Sequence, residues 1–182
     1  MRADADHPGR VVFAPWAGLE ALRTERVQLG GRALPPFSAT LLDTPGGSML
    51  DLTAWFAIGP EQPAACGIGV FGDEHSPLVN ATIGLANGTS CTLRVGEHEG
   101  PFPLTTTSPV PLRVIVDHSV VEAFADGGRA VVTHRAYPGA GATRVYLLNL
   151  GATPCSMHAF DGYMLTKPAT PSMEELVRRA GR

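Results

Sequence analysis

The chain has 182 residues, of which 44% are hydrophobic, and a formal net charge of −3. This length supports one domain with a buried core, and a pI near 6.0 argues against a general nucleic-acid-binding protein. No apolar run is long enough to cross a bilayer, and the polar first ten residues lack the apolar core of a signal peptide. We therefore expect a cytosolic protein, or part of a longer protein whose signal lies elsewhere.

Most of the chain consists of short segments that alternate apolar with polar residues, between turns rich in Gly and Pro. Period-two alternation is typical of strands with one buried face. The predicted strands, in chain order, are Thr24–Leu29, Ser38–Leu42, Leu50–Ile58, Ala65–Phe71, Val79–Leu85, Ser90–Val95, Leu112–Asp117, Ser119–Phe124, Arg129–Arg135, Arg144–Leu150 and Cys155–Leu165. This series predicts an all-β fold, a two-sheet antiparallel β-sandwich, and not an α/β fold.

Helical signals are confined to the two ends of the chain. Leu19 and Leu22 fit one short turn near Trp16, and Ser172 with Glu175 forms a capping-box pattern for a short C-terminal helix. A helix of that length is stable only when it is docked.

These signals divide the chain into four parts. We predict a polar tail over 1–10, a linker over 11–29, the β-sandwich over 30–166 and a C-terminal tail with a short helix over 167–182.

The cysteines Cys66, Cys91 and Cys155 are odd in number and widely spaced. This pattern implies neither a disulfide framework nor a zinc site. All three are therefore predicted to be buried as small apolar residues.

The most informative stretch is Leu112–Pro138, which is predicted to form two strands separated by a kink, then a turn and a third strand. The Asp-Gly-Gly tripeptide before Arg129 suits the positive φ angles of a tight hairpin turn. If the four residues before Arg129 form the loop, Phe124 faces Arg129 and Glu122 lies diagonally near Arg129, on a face that also carries Arg135. A slip of one residue would reverse these faces. The opposite face is predicted to be apolar and to face the core: Val121, Ala123, Ala130 and Val132.

This stretch resembles the signature of the C-terminal β-sandwich of glycoside hydrolase family 32, which reads roughly L-R-V-x-V-D-x-S-x-V-E-x-F, then G-G-R or D-G-R, then a strand ending in R-x-Y-P. The matching residues are Leu112, Arg113, Val114, Val116, Asp117, Ser119, Val121, Glu122, Phe124, Gly128, Arg129, Arg135, Tyr137 and Pro138. The His at position 118 makes the motif especially similar to that of the plant-type invertases and fructan exohydrolases. Residues 15–23 resemble the linker that leaves the propeller in this family, and 144–150 with 155–165 resemble its two closing strands. The segment after Cys91 departs from the family pattern.

The resemblance implies a jelly-roll, concanavalin A-like sandwich that packs against the five-bladed catalytic propeller of a sucrose- or fructan-hydrolysing enzyme. The family's catalytic motifs lie on the propeller and do not occur in this sequence. We therefore expect no catalytic residue, metal or cofactor here, no nucleic-acid or membrane partner, and a secreted or vacuolar parent. Glu122, Arg129 and Arg135 are the predicted contact surface, facing the propeller, the substrate cleft or a second copy of the chain.

Asp117 and Glu122 are paired carboxylates within the motif. Retaining hydrolysis needs two carboxyl groups about 5 Å apart, but the catalytic context of the family is missing, so we interpret both as structural. Asp117, and more weakly Ser119, is expected to cap the kink through backbone N–H groups. The run Asp117-His118-Ser119 is not interpreted as a hydrolytic triad, because neighbouring strand residues point to opposite faces.

Two further patterns involve polar side chains. Asn80-Ala-Thr82 and Asn87-Gly-Thr89 are N-glycosylation sequons, and alternation places Asn80 on the polar face of its strand. Use of either depends on secretion of the parent. His98 lies between two glutamates, which we interpret as a solvated loop and not as a metal site.

Trp55 falls on the less apolar face of its strand, where an indole ring can serve as a platform for a sugar. The alternative is that Trp55 lies in a contact between sheets or with the propeller. A stand-alone fructan-binding module is therefore the second hypothesis for this chain. A gene remnant that exposes the apolar surface meant for its propeller is the third.

Overall fold

The computed structural model describes residues 1–44, 46–59, 65–104 and 109–167. Within these ranges a 3₁₀ helix covers Ala17–Leu22, as expected near Trp16, and no helix is long and apolar enough to span a membrane. The C-terminal helix predicted around Ser172 lies outside the described residues. The strands are β1 Arg2–Ala3, β2 Val11–Val12, β3 Arg23–Leu34, β4 Ser38–Leu41, β5 Met49–Phe56, β6 Cys66–Gly72, β7 Val79–Asn87, β8 Ser90–Val95, β9 His98–Pro103, β10 Val110–Asp117, β11 Val120–Ala125, β12 Ala130–Arg135, β13 Arg144–Asn149 and β14 Cys155–Leu165.

The strands form two six-stranded antiparallel sheets. The first sheet has the order β12-β11-β10-β5-β14-β3 and the second has the order β4-β13-β6-β7-β8-β9. The predicted two-sheet antiparallel sandwich is therefore confirmed. β1 and β2 pair only with each other and make a small separate ribbon.

The core lies between the two sheets. Alternate residues of β5, such as Leu52 and Phe56, point inward and are almost completely buried, as are Ile68 and Ile83 of the second sheet. These alternating apolar residues bury one face of each strand, which is the physical reason that the two sheets pack face to face.

One strand is much longer than predicted and one is additional. β3 continues through Gly30 and Gly31 to Leu34, and β9 forms over His98–Pro103, where the predicted series contains no strand. Both strands lie at sheet edges. Edge strands tolerate Gly and Pro because one side of the strand makes no ladder hydrogen bonds.

The kink predicted between β10 and β11 is a two-residue turn. Asp117 pairs with Val120, and His118 adopts a φ of 53° while its N–H donates to the carbonyl of Ser48 at 2.6 Å. The Asp117 carboxylate contacts Nδ1 of His118 at 2.7 Å. The expected backbone cap by Asp117 is thus replaced by a side-chain contact within the turn.

The predicted register of the β11–β12 hairpin is wrong by two residues. Phe124 pairs with Val131, and Ala125 with Ala130, so that Arg129 lies in the turn and not opposite Phe124. Glu122 pairs with Thr133. A shift of two residues preserves the faces, so the predicted apolar face still points into the core.

The prediction that all three cysteines are unpaired is wrong for two of them. Cys66 of β6 and Cys155 of β14 form a disulfide that joins the two sheets across a sequence separation of 89. Spacing did not reveal the pair because sandwich topology, and not sequence distance, brings these strands together. Cys91 is a free, buried thiol as predicted, and burial raises its pKa to about 11.

Reduction of the disulfide is expected to lower the free energy of unfolding by about 2–4 kcal/mol, because the cross-link restricts a long loop of the unfolded chain. Urea denaturation with and without dithiothreitol measures this difference. The double variant Cys66→Ser/Cys155→Ser should lose the dependence on reductant. An unchanged urea midpoint after complete reduction of the wild type would contradict the expectation.

Candidate functional site

The outer face of the first sheet carries a carboxylate that is buried although it points away from the core. Asp51 of β5 is only 1% exposed. It accepts two hydrogen bonds from Arg113 of β10, both at 2.8 Å. Arg23 at the start of β3 adds Nε and Nη2 contacts at 2.8 and 2.7 Å. Two guanidinium groups therefore hold one carboxylate, and the bonds tie β3, β5 and β10 together.

Tyr163 of β14 extends this cluster toward the sheet edge. The guanidinium of Arg23 lies over the Tyr163 ring at 4.3 Å, and that of Arg26 lies at 5.4 Å. Arg26 also makes two bonds of 2.9 Å to Asp161, which holds the pKa of Asp161 below its usual range. We call Arg23, Asp51, Arg113 and Tyr163 the outer-face cluster.

Residues 11–22 form a strap that joins opposite corners of the first sheet. At one corner Phe13 N–H donates to the carbonyl of Gly128 at 3.1 Å, and at the other Thr166 N–H donates to the carbonyl of Leu22 at 2.9 Å. Gly128 lies in the turn after β11, at one end of the sheet. Thr166 follows the last residue of β14, at the opposite end. The strap therefore runs between diagonally opposite corners of this sheet.

Only glycine fits at the first anchor of the strap. Gly128 has a φ of +93°, and a Cβ placed there would lie 1.9 Å from the carbonyl oxygen of Phe13. The neighbouring Gly127 also has a positive φ, but a Cβ there would meet nothing within 4 Å. The second glycine of the predicted turn thus serves the close approach of two backbone segments.

Arg129 anchors the first ten residues to the sandwich. It bonds Asp4 at 2.9 and 3.0 Å and Asp126 at 2.9 Å, and it also contacts Asp6. The hydrogen bonds from Arg129 hold the pKa of Asp4 well below its usual range. A cleft of about 400 Å³ lies beside these groups. The segment predicted to be a polar tail is therefore attached through a buried carboxylate.

The predicted contact surface does not form one cluster. Arg129 turns toward the N-terminal segment, while Glu122 accepts a long 3.4 Å bond from Thr133. Arg135 lies over the ring of the exposed Tyr137 at 5.2 Å. Glu122 therefore does not pair with Arg129, because the two-residue shift in register carries Arg129 off the strand.

The remaining predicted site residues are dispersed. Trp55 is half-buried on the outer face of the first sheet, whereas Asn80 is half-buried on β7 of the second sheet. Asn87, the first residue of the second sequon, is exposed at the β7–β8 turn. His98 is the first residue of strand β9 and is therefore not in a loop. Its ring lies 5.5 Å from that of His134.

Sequence reasoning missed Asp51 and Asp4 as the two carboxylates that carry the strongest charge contacts. Alternation with Leu50 and Leu52 puts Asp51 on the polar face of its strand, but it does not reveal that Arg23 and Arg113 converge on this carboxylate. A signal existed in the adjacent strands, where Arg113 is a charged residue within a largely apolar β10.

Replacing the Asp51 carboxylate by an amide should destabilise the fold. In Asp51→Asn two guanidinium groups, each only about a fifth exposed, lose their counter-charge, and we expect a loss of about 3 kcal/mol in the free energy of unfolding. Urea denaturation measures the change. The exposed variant Arg135→Gln is the control and should stay within about 0.5 kcal/mol of the wild type. Equal stability of both variants would show that the cluster contributes nothing.

Attachment of the first ten residues should not change between pH 7 and pH 5. The folded pKa of Asp4 lies below its unfolded value, so its contribution is complete above the ordinary carboxyl range and is lost only as the pH falls through the lower, folded value. Amide hydrogen exchange of Val12 should therefore be similar at pH 7 and pH 5 after correction for intrinsic exchange. Asp4→Asn should lose this protection at both pH values, whereas Asp117→Asn should not. Loss of protection between pH 7 and pH 5 in the wild type would contradict this account.

Solved structures of other proteins share this sandwich architecture. The solved fructan 1-exohydrolase IIa of Cichorium intybus superposes with a TM-score of 0.77 over 91% of this chain and 40% of its own, at 16% identity. Sucrose-6-phosphate hydrolase of Lactobacillus gasseri superposes with a TM-score of 0.61 over 88% of this chain, also at 16% identity. At these identities the likeness establishes the fold.

Related sequences identify the family of this chain. The acid beta-fructofuranosidase of Phaseolus vulgaris is 27% identical over 194 residues, covering 82% of this chain and 30% of the bean protein. The matches thus span less than a third of the curated relatives. The family model for the C terminal of glycosyl hydrolases family 32 matches residues 19–160, which is most of the chain. The chain therefore belongs to the C-terminal β-sandwich modules of glycoside hydrolase family 32.

Proposed function

We propose that this chain is the non-catalytic C-terminal module of a β-fructofuranosidase-like glycoside hydrolase and that it supports the catalytic propeller of the parent enzyme. The observation that carries the proposal is the family match over residues 19–160. That match covers the sandwich and part of the strap, and the matched relatives are much longer than this chain. The parent would hydrolyse sucrose or a fructan.

The use of the carboxylates supports a structural role. Asp51 is held by two arginines, and Asp4 and Asp126 share Arg129. Retaining hydrolysis requires a free nucleophile and a second carboxyl group that can donate a proton, about 5 Å apart at one site. The buried carboxylates named here are instead neutralised by guanidinium groups, which favours a role in holding the sandwich together.

The strap supplies the surface that we assign to the propeller. Val11, Phe13 and Trp16 are 48%, 42% and 74% exposed. Large apolar side chains clustered on one surface segment are typical of interface anchors. Residues 15–23 also resemble the connection that leaves the propeller in this family, so the strap lies where the two parts of a parent enzyme would meet.

The isolated chain is expected to release no fructose from sucrose, 1-kestose or inulin. Purified wild type, Asp117→Asn and Glu122→Gln are assayed side by side for released fructose. Activity in the wild type that disappears in either variant would overturn the non-catalytic assignment.

The strap contact is tested in a chimera in which this chain replaces the matched C-terminal region of the bean acid beta-fructofuranosidase. Trp16→Ala should lower the thermal midpoint of the chimera because an aromatic anchor is lost at the interface. The same change in the isolated chain should alter stability by no more than about 0.5 kcal/mol. Leu78→Ala, a 56% exposed residue before β7, is the matched control. An equal response of the chimera to both changes would exclude the strap as the contact surface.

A second candidate function is sugar binding at Trp55. Across the sheet, Trp55 pairs with Pro111 on one side and with Ala159 on the other. Ala159 in turn pairs with Gly30 of β3. A Cβ at Gly30 would meet nothing within 4 Å. Small residues thus leave open space beside the half-buried indole, as a sugar ring requires. Calorimetric titration with inulin and levan tests this function: heat that is lost in Trp55→Ala and kept in Trp16→Ala supports it, and a flat titration of the wild type excludes it.

A further inference from the structure

The two sequons differ sharply in their structural setting. An N-linked glycan needs an asparagine whose amide nitrogen faces solvent in the folded chain, with room for a bulky, hydrated substituent. Asn87 and Asn80 lie on the same strand, β7, only seven positions apart, so the two sites can be compared within one element.

Asn87 ends β7 at the exposed β7–β8 turn. Its Oδ1 accepts hydrogen bonds from Thr89 N–H at 3.1 Å, from the Thr89 hydroxyl at 3.1 Å and from Ser90 N–H at 3.0 Å. All these bonds use the oxygen, and no described residue accepts a bond from Nδ2. The turn therefore fixes the side chain by its oxygen and leaves the nitrogen in solvent.

The turn also has space around it. The sequon's middle residue is Gly88, where a Cβ would meet nothing within 4 Å, and Ala86, Asn87, Gly88 and Thr89 are all exposed. Because the bonds of Asn87 reach only two and three residues along the chain, this geometry can form before the sandwich is complete.

Asn80 has the opposite setting. It lies in the middle of the second sheet, paired with Gly69 of β6, and its Oδ1 is buried without a hydrogen-bond partner among the described residues. Pro77 covers the neighbouring position, since a Cβ on Gly69 would lie 2.6 Å from the Pro77 ring. Thr82, the third residue of this sequon, is only 6% exposed. A glycan on Asn80 would have to displace the segment that contains Pro77.

We infer that Asn87, and not Asn80, is an N-glycosylation site of this chain when it passes through a eukaryotic secretory pathway. In the transfer, Nδ2 of Asn87 forms a bond to the anomeric carbon of a lipid-diphosphate-linked oligosaccharide. The bond between that carbon and the diphosphate breaks, the lipid diphosphate leaves, and the amide loses one proton. The inference does not depend on how the module packs against a propeller.

A glycan at this position has a consequence for partners of the module. The β7–β8 turn belongs to the second sheet, whereas the strap is anchored to two corners of the first sheet. A glycosylated turn must remain in solvent in any assembly, so it would direct a partner to other surfaces.

The test is secretion of the full chain from yeast behind a cleavable leader. The secreted protein is deglycosylated with a peptide N-glycosidase in heavy-oxygen water, which converts each occupied asparagine to labelled aspartate, and peptide mass spectrometry locates the label. We expect the label at Asn87 and none at Asn80. In gel mobility, Thr89→Ala should abolish the shift caused by the glycosidase, while Thr89→Ser and Asn80→Gln should keep it.

The label on wild-type peptides needs no substitution, so a variant that fails to fold does not weaken the test. A label at Asn80, a mobility shift that survives Thr89→Ala, or a secreted wild type without any label would each overturn the inference. None of these results would bear on the absence of hydrolysis by the isolated chain or on the strap contact.

Discussion

The carboxylate of Asp51 constrains the first sheet, because it joins three of the sheet's strands through buried ion pairs. It lies on a face that points away from the core, and it is nevertheless removed from water. A buried charge is tolerated only when its partners replace the lost hydration, and here Arg23 and Arg113 do so with four short contacts. Since the three residues come from three different strands, the charge is satisfied only when those strands are in their native register.

This requirement connects the outer-face cluster to the strap. Arg23 is the first residue of β3 and directly follows the strap, so its bonds to Asp51 fix the point at which the strap ends. At the other end the strap is fixed by the backbone contact between Phe13 and Gly128, next to the Arg129 contacts with Asp4 and Asp126. Charge contacts thus lie at or beside both ends of a segment that exposes the apolar side chains of Val11, Phe13 and Trp16. Anchoring of both ends restricts the conformations that this segment can adopt, which lowers the entropic cost of any contact it makes.

The family of this chain is established by its sequence and fold, whereas the activity of a parent enzyme is a proposal. The family model covers most of the chain, and the fold agrees with solved relatives over nearly all of it. Those relatives extend well beyond the matched region, so the chemistry of their remaining parts is not contained in this sandwich. The contacts of Asp51 stabilise the first sheet, and those of Arg129 attach the N-terminal segment to the sandwich.

The fold class can be derived from the amino-acid sequence, because period-two alternation specifies which face of each strand is apolar, and one ungapped motif between Leu112 and Pro138 indicates the family. Alternation also predicts that Trp55 faces outward and that the apolar residues of the hairpin face the core. Which residues meet is set by the packing of the strands: this packing forms the Cys66–Cys155 disulfide, brings Arg23 and Arg113 to Asp51, and brings Asp4 to Arg129. Alternation records whether a side chain points inward or outward, but long-range contacts depend on strand order and register, and neither is encoded locally. The hairpin shows this limit directly, since a shift of two residues preserved every face and still removed Arg129 from Glu122.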